Sequence, residues 1–223
     1  DLDCSMPPNP HCAPTEGAAA AVDPRPMPSD RSRYILFGEM LLFAVISLVA
    51  SFVLSYDAIK LAENPDQSLA CDVAVWLSCS KVGLSWQAQV FGFPNAFLGM
   101  ISEPVVMTIA VASLCKVRFP KWFMFTANVV YLLGVIFAYW LLFQSTFVIG
   151  ALCPWCLTVT VSTTFVFWSM THWNILEGNL YVSEGVLEKL RKFVRDGWMT
   201  ITLIAWLAIV VAIEVMKMVL KVI

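Results

Sequence analysis

An all-α membrane protein with five transmembrane helices is the fold class the sequence predicts, and three observations predict it. The 223 residues are 59% hydrophobic and only 13% charged, with a mean hydropathy of +0.76. A soluble domain carries about twice that charge. Five stretches, roughly 34–56, 95–115, 122–143, 152–173 and 199–219, approach the ~20 apolar residues a helix needs to cross a bilayer. No run of short segments alternates in polarity as the strands of a membrane β-barrel do. The same composition excludes a water-soluble enzyme, a disordered or collagen-like chain and, with a net charge of −2, a nucleic-acid-binding surface.

Taken in order, residues 1–33 hold seven of the twelve prolines and no apolar run, which predicts a disordered tail rather than a signal peptide. The first span follows, then a long loop at 57–94, the second span and a basic hairpin with Lys116, Arg118 and Lys121. The third span, a short loop at 144–151 and the fourth span come next. Residues 180–196, within a linking segment at 174–198, space apolar residues opposite basic ones and predict an amphipathic helix on the membrane surface. The fifth span occupies 199–223. Trp122, Trp173 and Trp198 stand at span ends, where tryptophans anchor helices to the interface. With the N-terminus in the cytoplasm, ten Lys and Arg lie inside and four outside, as the positive-inside rule requires.

That orientation sorts the seven cysteines. Cys71 and Cys79, in the 57–94 loop, and Cys153 and Cys156, at the mouth of the fourth span, face the oxidising side. Cys4, Cys12 and Cys115 face the reducing side. In Cys153-Pro154-Trp155-Cys156, a helix start sets two sulfurs one turn apart, and its free N–H groups stabilise a thiolate. Trp155 and Phe147 are placed to border a flat apolar ligand. The pair is either redox-active or a static structural element. The Cys71/Cys79 pair is either a loop staple or a partner in a thiol–disulfide relay. Zinc is not expected, because only two histidines exist and neither spacing nor side of the membrane suits it.

Beyond Cys79, residues 80–94 are too polar to span yet carry Trp86, Phe91 and Phe93, which predicts a half-helix lid over the bundle. Asn95 begins the second span, where its amide either caps the helix or bonds a ligand carbonyl. Glu103, two turns deeper, is an intramembrane carboxylate with either a functional or a packing role.

These residues together resemble the vitamin K epoxide reductase family of membrane thiol oxidoreductases, over 34–173. The resemblance rests on the loop motif Cys71-Asp72-Val73 with Ser78-Cys79-Ser80, on Ser85 six residues after Cys79, on Asn95 followed by Ala96-Phe97-Leu98-Gly99, and on the Cys153/Cys156 pair. It implies a four-helix catalytic core with the 57–94 loop as its cap, catalytic roles for the four cysteines, and quinone contacts through Ser85 and Asn95. Thr160 stands where vertebrate members have tyrosine, which separates this chain from their contacts to vitamin K.

The fifth span without a fused thioredoxin domain resembles the actinobacterial form, which implies a separate DsbA-like thioredoxin-fold partner outside a bacterial plasma membrane. Electrons then pass from partner to Cys71/Cys79, to Cys153/Cys156, and to a membrane quinone, menaquinone or ubiquinone. The alternatives are a reductase of quinone epoxides and a membrane scaffold with structural disulfides.

Overall fold

A computed structural model describes residues 28–222, with side chains through Lys217. Cys4, His11, Cys12 and most of the expected tail lie outside the described residues. Helix α1 (Asp30–Glu63) runs 34 residues, about 51 Å at 1.5 Å per residue. It begins before the expected span because the Ser29 hydroxyl accepts the Ser32 N–H at 3.2 Å. Arg33 is buried, 3.1 Å from Asp30 and stacked over the Trp173 ring. The tail predicted to reach residue 33 therefore gives up its last four residues to the helix.

The loop after α1 carries α2 (Cys79–Gly83) and a single tight turn at Trp86–Gln89. Then come α3 (Ala96–Leu114), α4 (Lys121–Phe143) with a wide terminal turn at Gln144–Ile149, and α5 (Pro154–Glu177). Two further helices close the chain, α6 (Glu184–Arg195) and α7 (Trp198–Val222). By length and composition α1, α3, α4 with its wide turn, and α7 are able to cross a membrane. The protein is an all-α membrane protein.

Helix α5, expected as the fourth span, is 24 residues long but too polar to stand with these four. Its hydroxyls explain the difference. Thr158, Thr160, Thr163 and Thr164 each donate to the carbonyl four residues back at 2.7–2.9 Å, which satisfies the hydroxyl inside the helix itself. Helix α5 packs between α1 and α4, and α3 lies on the other flank of α1. α3 and α4 approach each other little, so the four-helix arrangement is open on one side.

The main core joins Phe37, Met40 and Ala44 of α1 to Val106 and Ala110 of α3, Met124 of α4, and Val166 and Met170 of α5. Helices in lipid gain little from hydrophobic burial against each other, so close packing through small residues matters more. Ser47, Ser51 and Ser55 form a buried stripe on α1, and a Cβ on Gly99 of α3 would collide with the Ser51 hydroxyl.

Two expectations are corrected at the other end of the bundle. Trp173 is not an interfacial anchor but is buried, 4.8 Å from the Phe37 ring, with its indole N–H donating to Glu177. Trp122 and Trp198 remain exposed. Helix α6 does not reserve its apolar face for lipid: Leu187 and Val194 are buried, and Val194 packs with Ile175 and Met199.

Replacing Gly99 by Leu is expected to lower the thermal unfolding midpoint in detergent, because overpacking here costs about 1–3 kcal/mol. Gly134→Ala, where a Cβ meets no atom within 4 Å, serves as the silent control.

Candidate active site

Four of the cysteines meet at one end of the bundle. Cys71 and Cys79 are joined by a disulfide with their Cα atoms 5.7 Å apart. Cys153 and Cys156 are free thiols, and the Cys153 sulfur lies 3.3 Å from that of Cys79. Leu61, from the last turns of α1, and Leu69, from the loop, enclose this cluster, with Leu54, Val82 and Trp155 at its edge. The overlong α1 therefore supplies a wall for the sulfurs. Cys153 is fully buried, Cys79 is 3% exposed and Cys71 9%, whereas Cys156 is partly exposed.

Local sequence explains each placement. Cys79 opens α2, where the Ser78 hydroxyl caps by accepting the Lys81 N–H at 3.2 Å. Cys153 occupies the capping position of α5, and its sulfur accepts the Cys156 N–H at 3.5 Å. Pro154 follows at the first helical position, where a missing N–H costs nothing.

The two cysteine segments are tied by main chain. Leu152 N–H donates to the Trp76 carbonyl at 2.8 Å, and Ser78 N–H donates to the Leu152 carbonyl at 3.1 Å. This short parallel bridge places the residues preceding Cys79 and Cys153 side by side.

Asp72 holds the loop from within. Its carboxylate accepts from the Leu69 N–H at 2.7 Å, the Ser78 hydroxyl at 2.8 Å and the Ser80 N–H at 3.1 Å. Burial pushes the carboxyl upward, but these donors outweigh it and hold Asp72 at about 2.

Ser85 and Asn95 have their polar atoms engaged in the lid. The Ser85 hydroxyl donates to the Val82 carbonyl at 2.6 Å. Asn95 sits at the capping position of α3 without a capping bond; its amide donates to the Gln87 carbonyl at 2.6 Å and accepts the Val90 N–H at 3.2 Å. It pins the lid to the start of α3. The lid is less helical than expected, since Gly92 turns it with φ 79°. Its aromatic residues meet α4, Phe91 lying 5.5 Å from Phe137 and Trp86 6.2 Å from Trp140. Trp155 packs at the edge of the sulfur cluster, while the Phe147 ring carries the Lys217 ammonium at 4.6 Å.

Glu103 is buried where α3 and α4 part. It accepts from the Ser47 hydroxyl at 2.8 Å and the Tyr131 hydroxyl at 3.0 Å, so a hydrogen bond rather than packing crosses that gap. Sequence reasoning singled out Glu103 but missed both donors, along with Leu152 and Trp76, whose roles are main-chain. A cleft of about 490 Å3 opens between α4, α5 and α7, lined by Tyr139, Thr164, Phe167 and Trp206 among others. Thr164 lies eight residues after Cys156 on α5, about 12 Å along one face. Among the described residues no group of three or more His, Cys, Asp or Glu is placed to hold a metal.

The arrangement suits thiol–disulfide exchange, which needs an attacking sulfur against a bridged one and a leaving sulfur beyond it. Asp72→Ala is expected to speed amide exchange at Leu69 and Ser80 by about tenfold or more, since bonds to a charged acceptor each contribute about 1.5–3 kcal/mol. The Asp72 carboxyl lies below its ordinary 3.8, so its contribution is complete above about pH 4 and disappears as pH falls toward about 2. Wild-type protection measured across that window checks the sign.

A search among curated proteins found no match to the chain. A family model described as the vitamin K epoxide reductase family matches residues 39–171, more than half the chain and the whole of the sulfur cluster, the lid and Glu103. The chain thus belongs to the vitamin K epoxide reductase family and is a membrane thiol oxidoreductase of quinone-linked redox chemistry.

Proposed function

We propose that the protein is a quinone-dependent disulfide oxidase that reoxidises an extracytoplasmic thioredoxin-fold partner of the DsbA type. The observation that carries this reading is the 3.3 Å separation of the Cys79 and Cys153 sulfurs. The partner thiolate attacks Cys71, breaking the Cys71–Cys79 bond, and the partner's second thiol releases the partner as a disulfide. Cys79 thiolate then attacks Cys153 of a Cys153–Cys156 disulfide, and Cys156 leaves as thiolate. Cys71 resolves the Cys79–Cys153 bond, which restores the loop disulfide and leaves Cys153 and Cys156 reduced. In this reading a bridged loop with Cys153 and Cys156 as thiols is the stage just after that transfer.

The two electrons and two protons of the reduced pair leave to a membrane quinone, menaquinone or ubiquinone, which supplies the oxidising power when bound. The partial exposure of the Cys156 residue supports it as the cysteine that meets the quinone. The apolar cleft reaching Thr164 suits an isoprenoid tail, and Ser85 and Asn95 shape the lid above. In this reading the N-terminus is cytoplasmic in a bacterial plasma membrane, 34–173 is the catalytic core, and both cysteine pairs work on the outer face. A scaffold with two structural disulfides is set aside, because the family is one of oxidoreductases.

Purified protein in nanodiscs holding menaquinone or ubiquinone, given reduced DsbA-type partner, is expected to form quinol. Cys156→Ala should lower that rate on the order of 10³-fold or more; an undiminished rate overturns its assignment. Supplying a quinone epoxide with a dithiol donor distinguishes the reductase direction.

A further inference from the structure

The family match ends at residue 171, and α7 lies wholly beyond it. Yet α7 returns to the sulfur end of the bundle. Glu214 is 7% exposed, and both its carboxylate oxygens lie 2.9 Å from the Thr146 hydroxyl in the wide turn after α4. One turn further along α7, Lys217 sits over Phe147 of the same turn. A carboxyl buried at the end of an apolar helix is costly unless a polar group receives it. Thr146 is the partner found there.

The turn that Thr146 belongs to leads into the site within a few residues. Gly150, at φ 72°, and Ala151 both donate their N–H groups to the Ser145 carbonyl, at 2.9 and 3.1 Å. Leu152 then bridges to Trp76 and Ser78, and Cys153 follows. Glu214, Thr146, Leu152 and Trp76 line a single small cavity of about 20 Å3, about the space of one water. Little slack exists between α7 and the Leu152 segment that bridges to Trp76 and Ser78.

We propose that α7 is a positioning element for the internal exchange: the Glu214–Thr146 clasp fixes the turn carrying Leu152 and so sets the approach of Cys153 to Cys79. Glu214 and Thr146 are positioning residues and touch no reacting atom. The proposal rests on the relay reading above and extends it to a helix outside the matched family core. Misplacement of reacting groups by about 1 Å costs up to a hundredfold, so loss of one hydrogen bond is read as a fall on the order of tenfold.

The test compares two disulfides in glutathione buffers, each formed as two thiols plus oxidised glutathione gives one protein disulfide plus two reduced glutathiones. In a Cys71→Ser, Cys156→Ser background only the Cys79–Cys153 bond is free to form among these four. In a Cys153→Ser, Cys156→Ser background only Cys71–Cys79 is. Thr146→Val and Glu214→Leu are expected to lower the effective molarity of the Cys79–Cys153 pair about tenfold and leave Cys71–Cys79 unchanged. Glu214→Gln, which keeps an acceptor, should restore most of the loss. An equal fall at both pairs, or no fall at either, overturns the positioning role. If Cys79–Cys153 fails to form even with the clasp intact, the relay reading itself fails and takes this inference with it.

Discussion

Two backbone hydrogen bonds, from Leu152 to Trp76 and from Ser78 to Leu152, tie a solvent-side loop to the mouth of a membrane helix. Much of the site depends on that tie. A loop closing over 15 residues between α1 and α2 has many conformations, and fixing one costs chain entropy in proportion to the residues ordered. The bridge, the Asp72 bonds and the disulfide share that cost, so no single one has to hold the loop alone. Because the bridge involves main chain, it needs no cysteine side chain. In the proposed relay the sulfurs exchange bonds within that main-chain frame.

The bundle beneath is built for a different solvent. In lipid a polar group must find its partner within the protein, and the threonines of α5, the Ser47–Glu103–Tyr131 group and the Tyr139–Thr164–Trp206 contacts meet this demand in turn. These bonds let α5 stay polar while sitting inside. A helix made of leucine and valine would pack as well, but it would leave no polar groups along the face below Cys156.

Four of the five expected spans and the Cys153/Cys156 pair were legible because each is a local signal: a run of apolar residues, or a CxxC at a helix start. Membership of the family was legible through spacing around Cys71, Cys79, Asn95 and Cys156. What escaped were contacts between residues distant in sequence. Leu152 and Trp76 meet through carbonyl and N–H groups that every residue carries, so no side chain marks them. Trp173 looked like an interfacial anchor by position alone, and only the fold shows Phe37 and Arg33 covering its ring. The apolar stripe of α6 was read correctly as a stripe, but its partner turned out to be the chain itself. Asn95 was weighed as a cap or as a ligand contact; the lid residues that claim its amide lie five and eight positions earlier.

The graded burial of the four sulfurs has a further meaning. Cys79 and Cys153, the middle pair of the proposed relay, are sealed at 3% and 0% exposure, Cys71 is buried at 9%, and Cys156 is partly exposed. Small thiols such as glutathione react only with sulfur they can touch. In the relay proposed above, electrons cross these two sealed sulfurs out of reach of the surrounding thiol pool. In that relay, apolar packing around the sulfurs serves the fidelity of the transfer as well as its geometry.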